Sequence, residues 1–223
     1  MGSYAVNGLD LIVRSLPLLC KGVVVTVQLL VCSSALSFSL GAVCGMLCSD
    51  RLKVRFLSPC IEAITFVFRG VPFFVQLLII YFVLPDLLGF NLHLFPASVL
   101  ALGLCSSGYV AQLVRTGFNA VPASQWEAAF TLGYTKRQAV WYIILPQTVR
   151  QLLGPLNNEL DSLLKSTAIT SSIGMLELTR MGMNVVSREM EPVPIYLAIA
   201  VFYLLFSALI NLFSRYLERK FQF

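Results

Sequence analysis

Long apolar stretches separated by short charged segments follow one another along most of the chain. Residues 22–49 carry no formal charge and exceed the roughly 20 residues that a helix needs to cross about 30 Å of hydrocarbon. Residues 192–214 form a similar stretch. The pattern predicts an all-α integral membrane protein with about five transmembrane helices. The predicted spans are residues 22–48, 57–84, 96–117, 151–174 and 192–214.

The two ends of the chain are predicted to lie outside the spans. Asp10, Arg14 and Lys21 interrupt the apolar pattern of residues 1–21, which we expect to form an amphipathic segment along the outer membrane surface. This segment does not resemble a cleavable signal peptide, because it has neither a basic amino end nor a small-residue cleavage pattern. The transmembrane domain is predicted over residues 22–216, followed by a basic tail over residues 217–223.

The composition excludes most other classes of protein. Hydrophobic residues make up 57% of the chain and charged residues 12%, with a mean hydropathy of +0.81, so an ordinary soluble domain is excluded. The net charge of +5 comes from basic residues scattered at segment ends, which argues against a nucleic-acid interface. One histidine, His93, excludes most acid/base schemes, and no metal site is expected from the six cysteines of the apolar stretches.

Two predicted spans contain charged residues well away from their ends, where a charge at membrane depth is costly. Glu62 and Arg69 lie in the second span, so we expect them to face protein or a wet cavity. Pro72 withdraws a backbone donor and disfavours helical geometry at Val71, which predicts an interruption there. The fourth span carries Asn157, Asn158, Glu159, Asp161 and Lys165, and must therefore be enclosed. Asp161 and Lys165 are spaced for a helical ion pair.

A helical hairpin is predicted within residues 118–146. Ser124 with Glu127, and Thr135 with Gln138, are both capping-box patterns. Gly133 between them suits the left-handed conformation that closes a helix. We therefore expect two short helices, at about residues 125–132 and 136–144, with Pro146 ending the second.

The residues of this hairpin resemble the EAA loop of membrane subunits of bacterial ATP-binding-cassette (ABC) importers. In that family the loop is a cytoplasmic knob that seats in the ATPase subunit and transmits ATP-driven closure. The alternative is a surface helix pair in which Glu127 is merely a cap. The residues that the resemblance assigns to ATPase coupling are Glu127, Ala128, Ala129, Gly133, Ile143, Leu145 and Pro146.

Three further stretches resemble the polar amino acid branch of these importers. They are RGVPFFVQLLIIYFVLP from Arg69, GYVAQLVR from Gly108 and NNELDSLLKSTAITSSI from Asn157. Gln112 stands where a glutamate is common, which weakens an assignment to basic amino acids, and Asp161 and Ser166 also depart from the pattern. Polar contacts between helices are the alternative to substrate binding. The predicted substrate pathway consists of Arg69, Gln76, Tyr109, Gln112, Asn158, Asp161, Lys165, Ser166 and Thr167.

The resemblance implies a type I ABC importer permease in the bacterial cytoplasmic (inner) membrane, working by alternating access. The sequence has no GxxxxGK[ST] loop, so this chain is not itself expected to be an enzyme, and ATP and Mg would be bound by a partner. The implied partners are two ATPase subunits, a second permease chain (the same or homologous), and an extracytoplasmic binding protein that delivers a polar amino acid. A second hypothesis is an ion-gradient-driven transporter or channel using Glu62, Asp161 and Lys165, and a third is an intramembrane enzyme.

The distribution of basic residues predicts the orientation. With the amino end outside and the carboxyl end in the cytoplasm, ten lysines and arginines lie on the cytoplasmic side and four on the other, as the positive-inside rule requires. The ten are Arg51, Lys53, Arg55, Arg115, Lys136, Arg137, Arg150, Arg215, Arg219 and Lys220, and the four are Arg14, Lys21, Arg180 and Arg188.

Overall fold

The protein is described by a computed structural model covering residues 2–221, with side chains described for residues 8–220. Every regular element in this part of the chain is helical. The α-helices are α1 (Gly2–Leu47), α2 (Leu57–Gly70), α3 (Phe73–Leu78), α4 (Leu84–Leu88), α5 (Leu94–Ala120), α6 (Ala123–Thr131), α7 (Lys136–Ala139), α8 (Leu145–Thr167), α9 (Leu178–Glu189) and α10 (Pro192–Phe221). Two π turns, Ile79–Val83 and Val140–Ile144, and a 3₁₀ helix, Ala168–Ile173, complete the set.

Helix α1 is continuous where the sequence predicted a separate amphipathic segment. It runs from Gly2 to Leu47, so no break occurs at residue 21. Asp10 and Arg14, which interrupt the apolar pattern, lie one turn apart and form an ion pair of 2.6 Å. Such a pair supports a helix rather than ending it.

Helices α1 and α5 pack closely through small residues. A Cβ atom added at Gly41 would lie 2.5 Å from the Val110 Cβ, and one added at Gly45 would lie 2.5 Å from the Ala111 carbonyl oxygen. One turn before Gly41, Ser37 of α1 donates a hydrogen bond of 2.8 Å to Ser106 of α5. Small residues allow the two backbones to approach without a hydrophobic driving force from lipid.

Fewer helices meet the length and hydropathy of a membrane span than the five predicted. Among residues 2–221, three do so alone: Gly8–Leu47, Leu94–Ala120 and Pro192–Lys220. A fourth is obtained if the bent pair Leu57–Gly70 and Phe73–Leu88 counts as one span. The predicted segment 151–174 does not qualify, because its many polar side chains lower its hydropathy.

The predicted second span bends sharply at the expected place. Its two halves meet at 104°, and the residues between them are Val71 and Pro72. We call residues 68–72 the corner. Pro72 has no N–H to continue the hydrogen-bonding of α2, so the chain leaves the helix at Gly70.

The charged segment between the predicted fourth and fifth spans contains helix α9, Leu178–Glu189. The Glu177 carboxylate caps α9 by accepting from the backbone N–H groups of Thr179 and Arg180, both at 2.8 Å, and Tyr203 donates to it at 3.0 Å. Burial raises the pKa of Glu177 above its ordinary value, against the lowering effect of these donors. The cap ties α9 to α10.

The largest apolar core lies beneath the hairpin. It joins α5, α6, the second π turn and α8, and places these elements on one packed unit. A second core joins α1, α9 and α10. The buried members of the first core are Val110, Val114, Phe118, Val121, Trp126, Val140, Ile144 and Leu152.

Candidate functional site

A cavity of about 480 Å³ opens at the corner, where α2, α5 and α8 meet. The backbone of residues 69–72 forms one wall, and polar side chains from α5 and α8 form the others. We call it the corner cavity. It is lined by Arg69, Gly70, Val71, Pro72, Phe73, Leu102, Cys105, Ser106, Tyr109, Glu159, Ser162, Leu163 and Ser166.

Two consecutive hydrogen bonds position the carboxylate of Glu159 in the corner cavity. Ser37 of α1 donates to Ser106 of α5 at 2.8 Å, and Ser106 donates to Glu159 Oε1 of α8 at 2.7 Å. These bonds fix one oxygen of the Glu159 carboxylate. Glu159 is among the polar residues of the predicted fourth span, but it is not one of the predicted pathway residues. Its spacing of three and seven residues from Ser162 and Ser166, which places all three on one face, was the available signal.

A smaller cavity of about 270 Å³ lies beside the first and shares Arg69 with it. Within this second cavity Arg115 pairs with Glu62 at 3.0 Å, and Gln112 lies nearby in the lining. No acidic partner contacts Arg69 among residues 8–220. The expectation that Glu62 and Arg69 face protein or a cavity is confirmed.

The structure brings together only some of the predicted pathway residues. Arg69, Tyr109 and Ser166 line the corner cavity, and Gln112 lines the second. Gln76 and Thr167 are buried, and neither belongs to a described cavity wall. Asn158 is exposed.

Asp161 and Lys165 form the predicted ion pair, but outside the corner cavity. Lys165 Nζ lies 2.6 Å from Asp161 Oδ2, and the Lys165 side chain is 65% exposed. Asp161 also accepts a hydrogen bond from Ser207, which joins α8 to α10. The pair therefore lies on a different face of α8 from Glu159.

The hairpin of residues 123–146 has one of the two predicted caps. Thr135 and Gln138 form a complete capping box, and Gly133 has φ +83° at the bend. Ser124 does not cap the first helix, because α6 already begins at Ala123 after Pro122. Pro122 occupies the N-cap position, two residues before Ser124, and no side chain caps the helix there.

The residues matched to the EAA loop divide into an exposed and a packed set. Glu127, Ala128, Gly133 and Pro146 are exposed, whereas Ala129 is completely buried. Ile143 and Leu145 pack against the first core. Trp126, which sequence reasoning missed, is 2% exposed in that core, and Arg51 lies over its ring at 5.8 Å.

Pro146 does not end the second helix of the hairpin, contrary to the prediction. The helix widens into the π turn Val140–Ile144, where the Leu145 N–H donates to the Val140 carbonyl five residues back. Helix α8 then continues through Pro146 to Thr167. Widening the helix before a proline relieves the clash and the missing donor that would break a regular α-helix. The hairpin is thus joined to α8 without an interruption.

The family of binding-protein-dependent transport system inner membrane components matches residues 39–223 of the chain. This range includes the corner, both cavities and the hairpin. It also includes the matched positions Glu127, Ala129 and Gly133.

Curated relatives match over three quarters of the chain or more. The L-cystine transport system permease protein TcyB of Bacillus subtilis is 32% identical, over 95% of this chain and 90% of its own. The arginine transport system permease protein ArtQ of the same organism is 35% identical over 75% and 76%. The glutamine transport system permease protein GlnP of Escherichia coli is 31% identical over 92% and 94%.

Solved structures share the fold. A chain in the crystal structure of an amino acid ABC transporter with histidines has a TM-score of 0.85 and 32% identity, covering 94% of this chain and 96% of its own. A chain of the MetNI methionine ABC transporter in an inward-facing conformation has a TM-score of 0.80 at 20% identity, over 93% and 98%. The prediction of an all-helical type I ABC permease fold is confirmed. The chain belongs to the family of inner membrane components of binding-protein-dependent transport systems, the multi-pass permeases that its motifs resemble.

Proposed function

We propose that this chain is the permease subunit of an importer that moves a polar amino acid across the inner membrane at the expense of ATP. The curated relatives are named for the transport of cystine, arginine and glutamine, all polar amino acids. A solute-binding protein delivers the amino acid from outside. The chain moves it by alternating access and hydrolyses nothing itself.

The observation that carries this proposal is the division of the hairpin into a packed and an exposed side. Ile143 and Leu145 pack against the core that extends along α5 and α8, and Ala129 is completely buried. Glu127 and Ala128 remain exposed, and so does the bend at Gly133. A hairpin built in this way transmits a force applied to its exposed side into the helices that line the corner cavity.

Two ATPase subunits, which bind ATP and Mg, supply that force. One hairpin per chain then requires a second permease chain, identical or homologous, so that each ATPase subunit has a hairpin to hold. The amino end lies outside and the hairpin inside, as the ten basic residues on the cytoplasmic side favour. Closure of the ATPase pair moves the hairpins together and opens the cavity outward, and hydrolysis resets it.

The corner cavity suits a zwitterion. Arg69 offers a guanidinium without an ion-pair partner in the described part of the chain, and Glu159 offers a carboxylate whose second oxygen makes no described contact. We assign the substrate carboxylate to Arg69 and the substrate ammonium to Glu159, with Tyr109 and Ser166 beside them. A volume of about 480 Å³ lies within the range of about 300–1,000 Å³ that is typical of small-molecule sites.

Uptake by vesicles that contain the assembled complex tests the proposal. The binding protein and one labelled amino acid would be supplied outside the vesicles: L-cystine, L-arginine, L-glutamine or L-glutamate. The vesicles would either contain ATP or carry an ion gradient across their membrane. We expect at least one of them to accumulate with ATP alone. Accumulation that follows the ion gradient and ignores ATP would support the gradient-driven hypothesis instead.

A further inference from the structure

We propose that Gln76 is a positioning residue that holds the corner in its bent shape and thereby sets one wall of the corner cavity. Its side chain is 6% exposed and does not line the cavity, so it does not reach a bound substrate. It lies on α3, just beyond the bend. Its contacts run back across the bend to the end of α2.

The Gln76 side-chain amide binds two backbone carbonyl groups, one in the last turn of α2 and one in the break itself. Its Nε2 donates to the Phe68 carbonyl at 2.7 Å and to the Val71 carbonyl at 2.7 Å. The last carbonyls of a helix have no partner within the helix, and here the chain turns away instead of continuing. One NH₂ group therefore satisfies both and ties the end of α2 to the start of α3.

The oxygen of the same side-chain amide shows that burying Gln76 has a free-energy cost. Gln76 Oε1 is buried and has no hydrogen-bond partner in the described part of the chain. A buried acceptor without a partner destabilises the fold, so an apolar side chain of the same size would be preferred if Gln76 only filled space. The two bonds from Nε2 are the described interactions that offset this cost.

A neighbouring helix completes the hold on the corner. Tyr109 of α5 donates to the Arg69 carbonyl at 3.2 Å, and Cys105 Sγ lies 3.5 Å from Gln76 Nε2. The carbonyls of residues 68, 69 and 71 are thus all engaged by side chains. Because the backbone of residues 69–72 forms a wall of the cavity, release of Gln76 frees that wall to move. The consequence for transport rests on the proposed function, whereas the hold on the corner does not.

Cys105 provides a direct readout, because it is buried at 9% exposure between Gln76 and the cavity. The full chain, with the other five cysteines replaced by alanine, would be reacted with N-ethylmaleimide in native membrane vesicles. Alkylation of Cys105 would be followed by mass spectrometry. We expect Gln76→Leu and Gln76→Met to react on the order of tenfold faster, because two hydrogen bonds that close the corner are lost.

Gln28→Leu is the matched control. It makes the same change at an exposed glutamine of α1 for which no hydrogen bond is described, and we expect the wild-type rate from it. Unchanged Cys105 reactivity in both Gln76 variants would overturn the proposal. Failure of both to insert into the membrane would also contradict it, since a contact confined to the corner does not maintain the whole fold.

Uptake by the assembled complex gives the second readout, using whichever labelled amino acid the wild type accumulates. We expect the KM of the Gln76→Met complex to rise about tenfold, with a maximal rate within about twofold of the wild type. If Cys105 alkylation were faster but KM unchanged, Gln76 would still be shown to maintain the shape of the corner. Its effect on substrate binding would be contradicted. Absence of uptake by the wild type would count against the proposed function only.

Discussion

Glu159 and Asp161 are two residues apart on α8 and have different surroundings. Successive residues turn by about 100° around an α-helix, so these two side chains point about 200° apart. Glu159 enters the corner cavity and accepts from Ser106, while Asp161 pairs with Lys165 and Ser207 outside it. The sequence shows that both lie on a polar helix, but only the packing of α5 and α10 decides which one faces the cavity.

Neutralising Glu159 tests its assignment to the substrate ammonium. We expect Glu159→Gln to raise the KM for the transported amino acid by about 10- to 100-fold, because a hydrogen bond to a charged group contributes about 1.5–3 kcal/mol. Ser106 still has an oxygen to donate to, so the fold is retained. KM and maximal uptake rate would be measured in vesicles.

Glu191→Gln is the control for this change. Glu191 is exposed beside α9 and lies outside the corner cavity. We expect it to leave KM unchanged. Equal KM values for Glu159→Gln and the wild type would remove Glu159 from the site.

At the scale of elements, two prolines follow the pattern Tyr-x-x-Leu, and at each of them the helix widens into a π turn and then continues. Tyr81 to Pro85 and Tyr142 to Pro146 share this spacing, and each proline follows a π turn. In each case the leucine N–H donates to the carbonyl five residues back. The sequence predicts that Pro146 ends a helix, since proline breaks a regular α-helix. The repeated spacing was a signal for a wider turn that lets the helix continue.

The bend of the hairpin depends on the glycine at its turn. At φ +83°, Gly133 occupies a conformation that costs other L-residues roughly 1–2 kcal/mol. We expect Gly133→Ala to weaken the association of the ATPase subunit by about tenfold, because the hairpin is the surface proposed to hold it. Co-purification of the ATPase subunit with the permease would measure this.

Gly154→Ala makes the same substitution within helix α8. The added methyl group would meet one atom, Glu218 Oε1, at 3.4 Å, an ordinary contact distance. We expect normal co-purification from this variant. Normal co-purification from Gly133→Ala as well would show that the shape of the bend does not matter to ATPase binding.

At the scale of the whole molecule, sequence and structure agree on the class of fold and differ on the number of spans. Uncharged stretches identify α1, α5 and α10 because lipid requires apolar surface along a whole helix. Helix α8 is too polar to be identified in this way, and the helices Leu57–Gly70 and Phe73–Leu88 qualify as a span only when they are taken together across their bend. Their geometry depends on contacts between distant parts of the chain, such as Gln76 with Phe68 and Ser106 with Glu159.

The proposed orientation makes a separate prediction. In a background without native cysteines, Glu189→Cys should react with a membrane-impermeant maleimide on intact cells, and Lys136→Cys should react only after the inner membrane is permeabilised. Both positions are exposed in the structure. The reverse labelling pattern would place the hairpin on the outer side and rule out its contact with a cytoplasmic ATPase.

The most direct test of the central claim is to measure two rates together, uptake of a labelled amino acid and hydrolysis of ATP. Both would be measured in vesicles with and without the ATPase subunit. We predict that the complete complex performs both, that the chain without the ATPase subunit takes up nothing, and that Gly133→Ala lowers both rates together. Uptake by the purified chain alone, at the rate of the complete complex, would contradict the account.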